Sequence, residues 1–115
     1  MADAAPVRAV KEWVSGLYAR AAESYDQTGP RAFSHWGRRL VELAQIGPGA
    51  IVVDVGTGTG QELFPAAERV GSSGRVVGID ICPAMVRLTD AEISRRGLAN
   101  AGVCLMVERL RGKLY

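Results

Sequence analysis

Ile51-Val52-Val53-Asp54-Val55 is an apolar, mostly β-branched run that feeds directly into Gly56-Thr57-Gly58-Thr59-Gly60. The pattern predicts a buried strand ending in a tight turn that a cofactor can approach closely, because glycine permits the turn and omits the side chain that would block the approach. The amides of Gly56, Gly58 and Gly60 are expected to point into open space at the carboxyl edge of the strand. A second apolar run, Val76-Val77-Gly78-Ile79, ends in Asp80, twenty residues beyond Gly60. A carboxylate at that strand end can accept hydrogen bonds from both hydroxyls of a ribose held in the neighbouring βα unit. Capping of the next helix is the plainer role for Asp80, but Cys82 is the residue just before Pro83, which favours the ribose. Asp54, inside the first strand, is placed to orient the glycine loop or to meet a ligand's ammonium group.

The glycine spacing is GxGxG. A dinucleotide fingerprint needs its third glycine one residue later, to seat a pyrophosphate against the helix, and that position is Gln61. NAD and FAD are thereby disfavoured, and the lack of GxxxxGK[ST] excludes a phosphate-binding P-loop. A ligand without a pyrophosphate fits, and S-adenosylmethionine fits best. The competing reading is a glycine-rich turn that binds nothing, and Asp80 weighs against it.

These residues need a strand, a turn and a helix to hold them. The chain supplies a first strand from about residue 50, the glycine turn, a helix from about Gln61 to Val70, and a turn at Gly71-Ser72-Ser73-Gly74. A second strand follows, from about Arg75 to Ile81. Pro83 suits the first position of a helix, where its missing N–H costs nothing, and Met85, Val86, Leu88, Thr89 and Ile93 carry that helix to about Arg96, with Gly97 as its stop. Val103-Cys104-Leu105-Met106-Val107 reads as a third strand, and right-handed crossovers make all three parallel.

Two helices are expected ahead of the first strand. Val14, Leu17, Tyr18, Ala21, Ala22 and Tyr25 recur at helical spacing over about residues 7 to 25, with one buried stripe, and Gln27-Thr28-Gly29-Pro30 ends the run. Phe33, Trp36, Leu40, Leu43 and Ala44 mark the second helix, closed by Ile46-Gly47-Pro48-Gly49. The expected plan is α/β and a single unit over residues 1–115, with 1–47 as a helical extension.

Composition narrows the function classes. Of 115 residues, 48% are hydrophobic and 23% charged, the profile of a folded globular domain. A net charge of +2, with Arg38-Arg39 and Arg95-Arg96 far apart and interspersed with acids, gives no nucleic-acid surface. The basic tail Arg109-Leu110-Arg111-Gly112-Lys113 reads as a solubilising end. No apolar run approaches the ~20 residues of a membrane span, and the N-terminus lacks the order of a signal peptide. Cys82 and Cys104 are expected to be buried free thiols, with no metal site, in a cytoplasmic protein.

The segments Val52-Val53-Asp54-Val55-Gly56-Thr57-Gly58-Thr59-Gly60 and Gly78-Ile79-Asp80-Ile81-Cys82-Pro83-Ala84-Met85-Val86 resemble the first two cofactor motifs of class I S-adenosylmethionine-dependent methyltransferases. The nearest resemblance is to the type 11 and ubiquinone/menaquinone-biosynthesis branch. Glu23-Ser24-Tyr25-Asp26 resembles a Tyr-Asp segment that often precedes that fold. The resemblance implies the N-terminal half of a Rossmann-like methyltransferase fold, strand order 3-2-1. It implies that Gly56, Thr57, Gly58 and Gly60 surround the methionine part of S-adenosyl-L-methionine, that Asp80 holds the ribose, and that Ile81 and Met85 flank the adenine. Core packing is the alternative role for Ile81 and Met85, and for Tyr25, which could otherwise close over the cofactor.

The chain departs from the family at three places. Thr57 and Cys82 stand where the family often has cysteine and serine. After the third strand, where the family usually reads Asp-Ala-Glu, this chain reads Met106-Val107-Glu108-Arg109, leaving Glu108 as the only substitute acid. The family sheet continues beyond the first strand on its other side, so the chain is expected to stop after the third strand of that fold. The first strand would then be an open edge of central-strand composition, which predicts homodimerisation, aggregation or a missing remainder.

The implied function is methyl transfer to an unidentified small-molecule or lipid-like acceptor, with no catalytic base identified; the only histidine, His35 beside Trp36, reads as a surface or packing residue. A truncated, non-catalytic half-domain that binds the cofactor weakly or self-associates through its open edge is the second reading. An NAD(P)-dependent oxidoreductase, disfavoured by Gln61, is the third.

Overall fold

The computed structural model describes residues 4–24 and 32–106. The expected turn at Gln27-Thr28-Gly29-Pro30, the roles of Tyr25 and Glu108, and the basic tail lie outside the described residues. Helix α1 (Ala4–Ala21) runs into a 3₁₀ turn (Ala22–Ser24). Then follow α2 (Ala32–Leu43), β1 (Ile51–Val55), α3 (Leu63–Val70), β2 (Arg75–Asp80), α4 (Pro83–Arg96) and β3 (Ala101–Leu105). The strands lie in the order β1-β2-β3 and both pairs are parallel, the direction that the alternation of strand and helix predicted and the 3-2-1 order that the family resemblance implied.

Local chemistry accounts for most boundaries. Helix α4 opens with Pro83 behind an extended Cys82, and it closes at Gly97, whose left-handed backbone lets its N–H reach the carbonyls of Ile93 and Ser94. Several boundaries differ from expectation, α1 among them, which runs Ala4–Ala21 and not from about 7 to 25. Helix α3 begins at Leu63 because Gln61 and Glu62 still belong to the turn that leaves Gly60. β3 begins at Ala101 because its register follows β2: Val76 pairs with Ala101 and Asp80 with Leu105, and just past Leu105 the Met106 N–H still donates to the Asp80 carbonyl at 2.8 Å.

Helices α3 and α4 cover one face of the sheet. Leu63, Phe64, Ala66, Ala67 and Val70 of α3, Ile93 of α4 and Val41 of α2 close on Val76, with Val52 and Val103 packed beside them. Side chains alternate between faces along a strand, so Ile51, Val53 and Val55 point to the opposite face, where they are 81%, 60% and 69% exposed. The register aligns Val53 with Val77 and Gly102, and Val55 with Ile79 and Cys104. Cys104 is therefore exposed, contrary to expectation, while Cys82 is buried; both are free thiols.

The N-terminal helices exist as expected, but their apolar stripes are buried only in part. Along the α1 stripe Val14 and Ala21 are half-buried and Ala22 just beyond it is buried, while Leu17 and Tyr18 remain exposed. On α2 the expected stripe of Trp36, Leu40 and Leu43 is exposed and Gly37 and Val41 face inward. Close approach decides this: a Cβ on Gly37 would collide with the Gln61 carbonyl oxygen. Only a residue without a side chain lets α2 rest on the end of the glycine turn, and that contact orients the rest of the helix.

Candidate functional site

At the carboxyl ends of β1 and β2 the chain turns through Gly56, Gly58 and Gly60, all at positive φ (74°, 53° and 87°), a region that side-chain-bearing residues rarely adopt. The turn's amides do not face open space as expected. The N–H groups of Gly56 and Thr57 both donate to the Ile79 carbonyl (2.8 and 3.0 Å), and Gly60 N–H donates to the Thr57 carbonyl (2.8 Å). Gly58 N–H donates to Asp80 Oδ2 at 2.9 Å. The loop thus spends these four donors on itself and its neighbour strand, and offers close approach instead of anion-binding amides.

Acids surround it. Asp80 Oδ1 accepts the Cys82 N–H at 2.8 Å, so its carboxylate bonds the glycine turn and the start of α4 together, with further lone pairs left on both oxygens. Asp54 Oδ2 accepts the hydroxyl of the buried Thr57 at 2.7 Å. Burial pushes the Asp54 carboxyl above its ordinary value; the Thr57 hydrogen bond opposes this and the charge of Asp80 adds to it. Glu62 is likewise pushed up, first by burial and then by the charge of Asp54.

A cavity of about 350 Å³ opens over this turn, within the range of small-molecule sites. Gly56, Gly58, Asp80, Ile81 and Met85 line it, joined by Val14 and Tyr18 of α1 and by Met106 just past β3. A Cβ built on Gly56 meets nothing within 4 Å, so the missing side chain is open volume. Helix α1 is held at the cavity by a pair of bonds: Ser15 Oγ donates to the Ile81 carbonyl, and Cys82 Sγ donates to the Ser15 carbonyl, each at 3.5 Å.

Five of the eight residues singled out from sequence therefore meet at one cavity. Asp54 and Thr57 lie beneath the loop as its support, and Gly60 lines a neighbouring cavity beside Thr59 and Gln61. His35 lies exposed on α2 with its ring against Trp36. Sequence reasoning missed Thr89, whose buried hydroxyl donates to the Gly58 carbonyl at 2.6 Å. Its signal was legible: a hydroxyl between Met85 and Ile93 on a buried stripe needs an acceptor. Val14 and Met106 carried no signal, since only the docking of α1 and the end of β3 bring them to the cavity.

Three parallel strands with helices over one face, a glycine turn and an acid at the next strand end define a Rossmann-like α/β domain. A family model described as a methyltransferase domain matches residues 46–106, more than half of the chain, and the chain belongs to that family. It is 51% identical over 89 residues to the nocamycin O-methyltransferase of Saccharothrix syringae, covering 77% of this chain and 32% of that one. It is 42% identical over 96 residues to the aklanonic acid methyltransferase DauC of Streptomyces sp. (strain C5), covering 84% and 44%. It is 38% identical over 94 residues to the ubiquinone/menaquinone biosynthesis C-methyltransferase UbiE of Hydrogenovibrio crunogenus, covering 78% and 35%.

Among solved structures, a SAM dependent methyltransferase from Aquifex aeolicus superposes with a TM-score of 0.64 at 26% identity, covering 76% of this chain and 47% of that one. Coclaurine N-methyltransferase bound to N-methylheliamine and SAH superposes at 0.59 and 28% identity, covering 66% and 22%. The chain spans less than half the length of the curated relatives it matches. No helix among the described residues is long and apolar enough to cross a membrane, and no cluster of potential metal ligands occurs among them.

Proposed function

We propose that this chain is the S-adenosylmethionine-binding part of a methyltransferase acting on a small-molecule acceptor. The observation that carries the reading is the inversion of the expected loop chemistry: the Gly56, Thr57, Gly58 and Gly60 amides are already engaged, while Asp54, Glu62 and Asp80 gather around the turn. Such a site repels a pyrophosphate and favours a ligand that brings hydroxyls and positive charge, as S-adenosylmethionine does.

The residues fit that ligand. The remaining lone pairs of Asp80 accept from the ribose hydroxyls, Ile81 and the Met85 thioether flank the adenine, and the open volume at Gly56 takes the methionine part, with Gly58 and Gly60 shaping the turn. Thr57 and Asp54 hold the loop in its shape from below. Val14 and Tyr18 screen the cavity from water. When bound, S-adenosylmethionine supplies an electrophilic methyl group on a sulfonium; the chain's own work is to bind, orient and desolvate. The relatives' names differ in the accepting atom, oxygen in one and carbon in another, so the acceptor is proposed only as a small molecule.

Residues 1–115 act in this reading as one partial domain with 1–47 as its helical extension, in the cytoplasm, where the free thiols Cys82 and Cys104 persist. A second reading, favoured by the exposure of Ile51 and Val53 on β1, the edge strand of the sheet among the described residues, is that the chain associates with a second copy through β1.

Calorimetric titration tests the cofactor reading. S-adenosylhomocysteine is expected to bind, NAD is not, and Asp80→Ala weakens the binding at least tenfold, the loss of two charge-assisted hydrogen bonds. No heat at millimolar S-adenosylhomocysteine, from a chain shown by circular dichroism to be folded, sinks it.

A further inference from the structure

Helix α4 buries a stripe of Met85, Thr89 and Ile93 at four-residue steps. The middle member is the anomaly. Thr89 is 1% exposed, and a hydroxyl at such a place is a burden that an isosteric valine would not carry, unless its hydrogen bond does something. A helical threonine commonly turns its hydroxyl back to the carbonyl four residues earlier. Thr89 instead reaches out of its helix to the Gly58 carbonyl, at 2.6 Å.

Gly58 is thereby held from both sides. Its N–H is bonded to Asp80 Oδ2 and its carbonyl to Thr89 Oγ1, while its backbone sits at φ 53°, where glycine has the freedom to leave. Asp80 and Gly58 both line the cavity, whereas Thr89 does not. The chain of contacts runs from the core of α4, through one residue of the turn, to the carboxylate.

We propose that Thr89 is a positioning residue for the cofactor site: its hydroxyl holds the Gly58–Thr59 peptide, which restricts backbone rotation at Gly58 and so sets the Gly58 N–H and the Asp80 carboxylate bonded to it. The hydroxyl turns the Gly58 carbonyl oxygen into α4, so that a negative dipole end is not presented to the acids of the site. It also turns a glycine loop that would otherwise sample several conformers into one with its carboxylate preset. The consequence for affinity rests on the cofactor reading above; the consequence for the loop does not.

The test compares Thr89→Val and Thr89→Ser with the parent chain by two measurements. Amide hydrogen exchange at Gly58, followed by nuclear magnetic resonance in the ligand-free chain, reads the loop directly. Titration with S-adenosylhomocysteine reads the site. Thr89→Val is expected to speed Gly58 exchange and to weaken binding about 3- to 10-fold, the worth of one hydrogen bond, with the urea midpoint of the core little changed. Thr89→Ser, which keeps the hydroxyl and loses only a methyl, restores both. Unchanged Gly58 exchange in Thr89→Val overturns the proposal, and so does a Thr89→Ser variant that behaves like Thr89→Val. If the parent chain binds no S-adenosylhomocysteine, the cofactor reading fails while exchange at Gly58 still decides the role of Thr89. Should Thr89→Val not fold, Thr89→Ser against Thr89→Ala supplies the same comparison.

Discussion

A carboxylate within a parallel strand, as Asp54 is, must be desolvated to reach its place, and burial raises its pKa above 3.8. The folded state therefore binds a proton at Asp54 more tightly than the unfolded state. Stability from this group is greatest when it is protonated and falls as pH rises from 3.8 through the folded-state value. Asp54→Asn removes the charge and keeps an acceptor for the Thr57 hydroxyl. The variant is expected to match or exceed the parent in urea midpoint near about pH 7, and to lose that advantage as pH is lowered toward about 4. Parallel pH profiles for the two proteins would show that the ionisation of Asp54 carries no such cost. Glu62 is shifted in the same direction, so the difference between variant and parent, not the absolute profile, isolates Asp54.

Helix α2 illustrates how an element is oriented by its smallest residue. Its amphipathic pattern names Trp36, Leu40 and Leu43 as the buried stripe, yet Trp36 is 61% exposed and Val41 enters the core. Gly37 touches the backbone of Gln61, which joins α2 to the turn at the head of α3. Gly37→Ala is expected to push α2 off that turn and to destabilise the chain by about 1–3 kcal/mol, an overpacking cost against backbone that cannot yield. Urea unfolding measures it; an unchanged midpoint would mean that α2 shifts freely and does not support the glycine turn. The existence and direction of the strands, by contrast, were legible, because a β-branched run bounded by glycine has few other folds open to it, although β3 lies two residues earlier than expected.

At the scale of the molecule, among the described residues the sheet is covered on the face of Val52, Val76 and Val103 and exposed on the other face at Ile51, Val53 and Val55. Apolar rows of this kind on a parallel sheet are ordinarily covered on both sides, and β1 lies at the edge of the sheet, with no pairing strand on its outer side among the described residues. The chain is expected to self-associate in a concentration-dependent way, and the double variant Ile51→Lys, Val53→Lys to shift it toward the monomer without loss of the core, since both side chains point away from α3. Light scattering coupled to gel filtration reads this. A parent chain that is monomeric at high concentration would remove the association reading and leave the cofactor reading untouched.

The parallel pairing, the start and stop of α4, and the placing of Gly56, Gly58 and Asp80 at one end of the sheet follow from the sequence by local rules: β-branched runs, glycine at positive φ, proline at a first turn, and the handedness of crossovers. The order of the strands and the place of Ile81 and Met85 at that end were legible only through the resemblance to a known family. Only the tertiary structure decided which face of α2 turns inward, that the loop amides are spent internally, that Thr89 grips Gly58, and that Val14 and Met106 reach the cavity. These depend on contacts between residues distant along the chain, where close approach and hydrogen-bond competition, not local propensity, select among the arrangements that a periodic pattern leaves open.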